Sequence, residues 1–219
     1  MPGFEEEFDF DGLCERMVRT QLKARGIADP RLLDAFRAIP RHRFVDPGHW
    51  DEAYEDHPVP IEKGQTISQP YVVAYMTELL AVEEGMRVLE VGTGSGYQAA
   101  ILAHLGATVH TVERHEALTA RAAAAIEETG YGDRVVFHIG DGSLGLPEEA
   151  PFDRIIVTAA APAVPEALKD ELSTRGGRLV IPVGRSHQRL VLCIREGETC
   201  RQEESLPVIF VPLIGENAF

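Results

Sequence analysis

Along the first third of the chain the apolar positions recur at helical spacing. Leu13, Met17, Val18 and Leu22 line one face, and Gly26 ends that run. Asp29-Pro30 supplies an N-cap and a first-turn proline for a second helix. Its apolar face is Leu32, Leu33, Phe36 and Ile39, and Pro40 stops it. A third helical pattern covers residues 68–80, with Val72, Val73, Met76, Leu79 and Leu80 on one side. Between the second and third, residues 41–66 are rich in Pro, Gly, His and acidic side chains, and the stretch is too long to be a simple connector. From residue 85 the pattern changes. Strand-like runs at 87–91, 108–112, 135–139, 154–158, 178–183, 190–195 and 207–213 are interleaved with helical patterns at 96–105, 116–129 and 164–172. Such alternation predicts an α/β fold, a doubly wound and mostly parallel seven-stranded sheet preceded by N-terminal helices. The last two strands have no helix between them, only a turn region over 196–204, so they should pair antiparallel at or near one edge.

The whole chain, 1–219, reads as one domain: helices and the long loop over 12–84, then the α/β core over 85–219. Residues 1–11 are acidic, carry Phe4, Phe8 and Phe10, and read as a mobile leader without the basic start and apolar run of a signal peptide. No segment has the roughly 20 consecutive apolar residues of a membrane span. The three cysteines, Cys14, Cys193 and Cys200, are widely spread and form no Cys-x-x-Cys pair. This points to a reducing, cytoplasmic setting and argues against a disulfide framework. The eight histidines show no metal-ligand spacing, so no metal is expected. The formal charge of −14 disfavours nucleic acid as a partner, because a polyanion would be repelled.

The candidate chemistry begins where the first core strand ends. Val88-Leu89-Glu90-Val91 runs into Gly92-Thr93-Gly94-Ser95-Gly96 and then into a helix pattern. A strand turning sharply into a helix N-terminus presents free N–H groups and the positive end of the helix dipole, and glycines let a ligand approach the backbone. Dinucleotide folds space these glycines as Gly-x-Gly-x-x-Gly. Here the spacing is Gly-x-Gly-x-Gly with Glu90 just ahead, which resembles the first motif of class I S-adenosylmethionine-dependent methyltransferases. In open α/β sheets ligands bind beyond the carboxyl ends of the strands. Glu113, about twenty residues on and beside Arg114, is placed to accept from ribose hydroxyls, or to complement a helix start. Gly140-Asp141-Gly142 follows the third strand, where Asp141 either turns the chain or accepts from an adenine amine. Glu90 is suited to the amine end of the cofactor, or is a strand-end acid facing water. The small residues Thr158 to Ala161 would leave room for a second substrate.

The segment Gly64-Gln65-Thr66-Ile67-Ser68-Gln69-Pro70-Tyr71 resembles the hallmark loop of the protein-L-isoaspartate (D-aspartate) O-methyltransferases. The resemblance extends through Pro40-Arg41-His42-Arg43-Phe44-Val45, Gly140-Asp141-Gly142, Ala150-Pro151-Phe152-Asp153, Ala159-Ala160-Ala161-Pro162, Gly176-Gly177-Arg178-Leu179, Pro182-Val183-Gly184 and Val211-Pro212-Leu213. It runs from about Met17 to Gly215 and leaves the acidic leader outside. It implies methyl transfer from S-adenosylmethionine to the free α-carboxylate of L-isoaspartyl residues, with D-aspartyl residues as a further class, in damaged proteins and peptides. The ester then returns to a succinimide, and hydrolysis restores some normal aspartate. The resemblance also implies Ser68 as the active-site serine, with Gln65, Thr66, Ile67 and Gln69 around the substrate. Where some relatives carry a threonine hydroxyl, this chain has Ile214, so only apolar packing is expected there.

This chemistry suits the residues. A carboxylate is already ionised at neutral pH and needs no general base or metal, so proximity should dominate the rate. Ser68 and nearby backbone N–H groups can hold an anion at a helix start, although the sequence alone favours Ser68 as the cap of the helix that contains Pro70, and the two roles are compatible. Nothing is patterned to activate it as a covalent nucleophile. Rival readings are a same-fold methyltransferase for another carboxylate or a small molecule, an NAD-linked oxidoreductase, and a non-catalytic cofactor sensor. A monomer is expected.

Overall fold

A computed structural model describes residues 8–219. Helix α1 (Phe10–Met17) is capped by the Asp9 carboxylate, which accepts from the Gly12 N–H at 3.0 Å. The helix continues through a wider turn over Val18–Leu22 and ends at Gly26, whose φ of 95° is the left-handed conformation that glycine permits. Helix α2 (Pro30–Ala38) carries the expected Asp29 cap, accepting from the Arg31 N–H at 2.9 Å. The long loop ends in a two-stranded hairpin, β1 (Val59–Pro60) against β2 (Thr66–Ile67), which delivers the chain to α3 (Pro70–Leu80).

The core then alternates: β3 (Arg87–Val91), α4 (Tyr97–His104), β4 (Thr108–Glu113), α5 (Glu116–Glu128), β5 (Val135–Ile139), β6 (Arg154–Val157), α6 (Glu166–Asp170), β7 (Arg175–Val183), β8 (Gln188–Glu196) and β9 (Thr199–Val208). The sheet order is β5-β4-β3-β6-β7-β8-β9. Strands β3 to β7 pair in parallel, and β8 and β9 add antiparallel strands at one edge. This is the predicted doubly wound, seven-stranded sheet. Successive strand residues alternate between two cores, as a sheet covered on both faces requires. Val88, Ile156 and Val180 face the cluster built with the N-terminal helices, α3, α4 and α5. Leu89, Val91, Ile155, Val157, Leu179 and Ile181 face the cluster built with Leu168 and Leu172. After β3 the chain builds outward to β4 and β5, then returns to lay β6 on the other side of β3. That reversal opens a crevice at the carboxyl ends of β3 and β6.

Four expectations change. The last strand is Thr199–Val208, not 207–213, because the turn is confined to the residues around Gly197, at φ 62°. Residues 209–214 instead run beside the sheet end, with Leu213 N–H donating to Ala160 O at 2.7 Å and Ala160 N–H to Val211 O at 2.8 Å. Second, Cys193 and Cys200 are joined in a disulfide. They lie seven positions apart on either side of that tight turn, and the antiparallel pairing of β8 with β9 brings their Cα atoms to 5.8 Å. A reading for Cys-x-x-Cys pairs does not detect a pairing made by a hairpin. Third, the described end of the leader is docked on the fold. Residues 1–7, with Phe4, lie outside the described residues, but the Phe10 ring stacks on His42 at 3.7 Å and meets Trp50 edge-on at 5.5 Å. Phe8 stacks on Phe10 at 5.3 Å. Fourth, α3 begins at Pro70 with Gln69 as its cap, so Ser68 lies outside the helix.

The long loop is fastened along its length. Arg121 on α5 reaches Asp46 at 2.8 Å and Glu62 at 3.5 Å, Arg25 reaches Asp56 at 2.9 Å, and the Gln21 amide donates to Tyr54 O at 2.7 Å. Among the described residues no helix is long and apolar enough to cross a membrane.

Candidate active site

The crevice encloses about 970 Å³ counted to its open mouth. Its floor is the loop between β3 and α4. Gly92 has φ 96°, and a Cβ there would stand 2.4 Å from Thr158 Oγ1, which donates to Gly92 O at 2.6 Å. Only glycine fits this close approach of β3 to β6. Gly96 has φ 88° and backs onto α5, where a Cβ would stand 3.0 Å from the Ala122 Cβ. It supports the loop from behind. Gly94, in contrast, faces open space: the nearest atom to an added Cβ is Ile61 Cδ1 at 4.0 Å.

Glu90 lies at the end of β3 and is fully buried, with register partner Thr111 on β4. Thr111 Oγ1 donates to Glu90 Oε2 at 2.5 Å and sits 2.6 Å from Thr93 Oγ1. Among the described residues Glu90 Oε1 has no partner. Burial pushes this carboxyl up to about 8, with the Thr111 hydrogen bond opposing and the Glu113 charge adding to the rise. Glu90 therefore does not face water. It presents an unpaired oxygen at the base of the crevice, where a ligand cation would satisfy it. Glu113, at the end of β4, accepts from Gly94 N–H at 3.1 Å and His115 N–H at 3.0 Å, one bond to each oxygen. Each oxygen keeps a lone pair, and the residue lines the crevice, so a vicinal diol can be held there.

Ser95, Arg114, Gly142, Gln65, Thr66, Ile67 and Ser68 also line the crevice. Gly96, Asp141 and Gln69 do not. Asp141 caps the short turn after β5: Oδ1 accepts from Ser143 N–H at 2.9 Å and Ser143 Oγ at 2.7 Å, and Oδ2 accepts from Glu216 N–H at 2.7 Å. Of the two uses of Asp141, the structure displays the turn, and neighbouring Gly140 and Gly142 form the wall. Gln69 donates its amide to Asp56 O at 3.0 Å and so fastens the long loop. Ser68 has the opposite fate. The helix cap has no side-chain hydrogen bond, and the Ser68 hydroxyl makes none among the described residues. It stands half-buried in the crevice with its donor available.

Several wall residues were not expected from the sequence. Thr93 extends the Thr111–Glu90 chain, Gln98 donates to Thr77 Oγ1 at 2.9 Å, and Tyr97 opens α4. Thr93 lies between two of the glycines and Tyr97 follows the third, and that position was their one visible signal. The far wall is Val211 to Ile214, and the backbone there is not a sheet strand.

A parallel sheet with this strand order, a glycine turn after its central strand and two carboxylates at adjacent strand ends define a class I methyltransferase. The family model of protein-L-isoaspartate(D-aspartate) O-methyltransferase matches residues 14–218. The chain belongs to that family. A Pelobacter propionicus protein-L-isoaspartate O-methyltransferase is 55% identical over 94% of this chain and 92% of its own. A Parvibaculum lavamentivorans enzyme of the same name is 52% identical over 88% of each. Among solved structures, a protein-L-isoaspartate O-methyltransferase superposes with a TM-score of 0.82 at 31% identity, covering 94% of this chain and 67% of that one. A Plasmodium falciparum protein assigned to the same kind of enzyme, solved in complex with S-adenosyl-L-homocysteine, gives 0.79 at 26% identity over 94% and 99%.

Proposed function

We propose that this chain transfers a methyl group from S-adenosylmethionine to the free α-carboxylate of L-isoaspartyl residues in damaged proteins and peptides, and so begins their repair. Family membership over residues 14–218 is the observation that carries the reading. When bound, S-adenosylmethionine supplies a sulfonium-activated methyl group.

The residues fit that cofactor. Glu90 Oε1 is a buried acceptor without a partner, matched to an ammonium. Glu113 fits the ribose hydroxyls, the open space at Gly94 admits the cofactor's chain, and Arg114 with Gly140 and Gly142 borders the adenosine end. We assign Gly92, Ser95 and Gly96 to the loop that shapes this cradle. Ser68 is placed to donate its hydroxyl to the substrate carboxylate, with Gln65, Thr66 and Ile67 forming the wall beside it. A single neutral donor orients the anion without cancelling the charge that makes it nucleophilic, so alignment and exclusion of water supply the rate. D-aspartyl residues are a second substrate class under this proposal. We further propose a monomer, in keeping with the charge of −14. The Cys193–Cys200 disulfide removes the cysteine argument for a reducing, cytoplasmic setting.

The test uses methyl-labelled S-adenosylmethionine and two peptides differing only in one linkage, isoaspartyl or normal aspartyl. Label released as methanol after mild base, from the isoaspartyl peptide alone, is the expected result. Label from neither peptide, with the cofactor bound, would move the reading to another substrate.

A further inference from the structure

Beneath the crevice lies a cation that the reaction chemistry does not use. Arg41 is fully buried, and among the described residues no carboxylate pairs with it. Its Nε donates to Ala53 O and its Nη2 to Ser68 O, both at 2.7 Å. Its guanidinium carbon lies 4.9 Å from the ring centroid of Tyr97, whose phenol interacts with it electrostatically, and among the described residues neither Arg41 Nη1 nor the Tyr97 hydroxyl has a partner at close hydrogen-bond distance. Burial draws its pKa down to about 10, with the Tyr97 phenol the largest opposing influence, so the group stays charged at neutral pH. A buried guanidinium without a carboxylate partner is costly, and an apolar side chain would fill the same space at less cost.

Three segments meet at this side chain. Ala53 belongs to the long loop, Ser68 carries the free hydroxyl in the crevice, and Tyr97 is the first residue of the helix that follows the glycine turn. Because the peptide group is planar, fixing the Ser68 carbonyl also fixes the plane it shares with the Gln69 N–H and the Cα from which the Ser68 side chain departs. The rigid fork of the guanidinium holds two carbonyls in one geometry, which the point charge of a lysine cannot do.

We propose that Arg41 is a positioning residue for carboxyl methylation, holding the Ser68 loop in fixed register with the cofactor-side helix through Tyr97. The proposal rests on the methyltransferase reading above. Misplacement of about 1 Å at a reacting centre can cost about a hundredfold in rate. The expected cost therefore falls on turnover rather than on cofactor binding.

The experiment compares wild type, Arg41→Lys and Arg41→Ala with an isoaspartyl peptide. S-adenosylhomocysteine binding by calorimetry serves as the check that each variant is folded. The expected result for R41K is a fall in kcat of about 10- to 100-fold with S-adenosylhomocysteine affinity within about twofold of wild type. Millimolar guanidinium should restore part of the R41A turnover, saturably, and leave Ser68→Ala unchanged. Wild-type kcat in R41K would overturn the proposal. So would a parallel loss of turnover, cofactor affinity and melting temperature in both variants without rescue, since Arg41 would then support the fold as a whole. Failure of the wild-type control to methylate the isoaspartyl peptide would instead overturn the functional reading.

Discussion

If Glu90 holds the cofactor's ammonium as proposed, its unpaired, buried carboxyl makes cofactor binding depend on pH. In the cofactor-free chain this group titrates near 8 because it is buried. Partnership with an ammonium requires the ionised form. If only that form binds, the apparent affinity scales with the ionised fraction. That fraction rises from about 1% at pH 6.0 to about 24% at pH 7.5, so S-adenosylhomocysteine should bind ~20-fold more tightly at the higher pH. Calorimetry in buffers of different ionisation enthalpy should also register the release of ~0.9 proton per site at pH 7. The Glu90→Gln chain keeps Glu113 and His115, so any slope it loses belongs to Glu90. The same group has the opposite effect on stability. Its folded pKa lies above the ordinary value of 4.5, so between the two values the folded chain holds a proton that the unfolded chain has lost. Stability of the cofactor-free protein therefore declines as pH rises through this window, by on the order of 4 kcal/mol from pH 5 to pH 8. Glu90→Gln should remove most of that decline, melting above wild type at pH 8 while binding the cofactor more weakly. Affinity unchanged from pH 6.0 to 7.5, or an equal slope in the variant, would refute the reasoning.

Ser68→Ala should lower turnover by about 10- to 100-fold with cofactor affinity unchanged, because the hydroxyl caps nothing; steady-state kinetics with an isoaspartyl peptide checks it. Gly92→Ala should cost about 2 kcal/mol or more in a denaturant titration and also weaken S-adenosylhomocysteine binding, since a Cβ meets Thr158 at a positive φ. Phe10→Ala should cost about 1–3 kcal/mol by removing the ring that stacks on His42 and meets Trp50 edge-on, measured by thermal melting against wild type. Thiol titration of the denatured, unreduced protein should find one free thiol, Cys14, with Cys193 and Cys200 joined.

The sheet was legible because its signals are local and periodic. Strands buried on both faces read as short apolar runs, and each is followed by a turn whose glycine or acid marks the carboxyl edge. The crevice residues contributed by those turns, Glu90, Gly92, Gly94, Glu113 and Gly142, could be found for the same reason. What stayed hidden depends on pairing across sequence distance. Asp141 looks like any strand-end acid until Ser143 and Glu216 engage its oxygens. Ser68 looks like a helix cap, and only the start of α3 at Pro70 leaves it free. The end of β9 was misplaced because residues 207–213 are apolar enough for a strand, yet they leave the sheet to wall the crevice. The docking of Phe10 depends on His42 and Trp50, some 30 to 40 positions away.

The fastening of the long loop by Arg121, Arg25, Gln21 and Gln69 bears on which polypeptides can be served. Were those contacts to persist when substrate binds, the mouth would not reshape itself around a folded visitor. The pliability would then have to come from the client: a damaged residue would reach the methyl donor only on a stretch of chain that can leave its own surroundings and enter the crevice. Loops, tails and partly unfolded molecules meet that condition, and a lesion locked in a rigid element does not. Selection among damaged proteins would then be exerted by their own local looseness, with no need for the enzyme to read much sequence around the lesion.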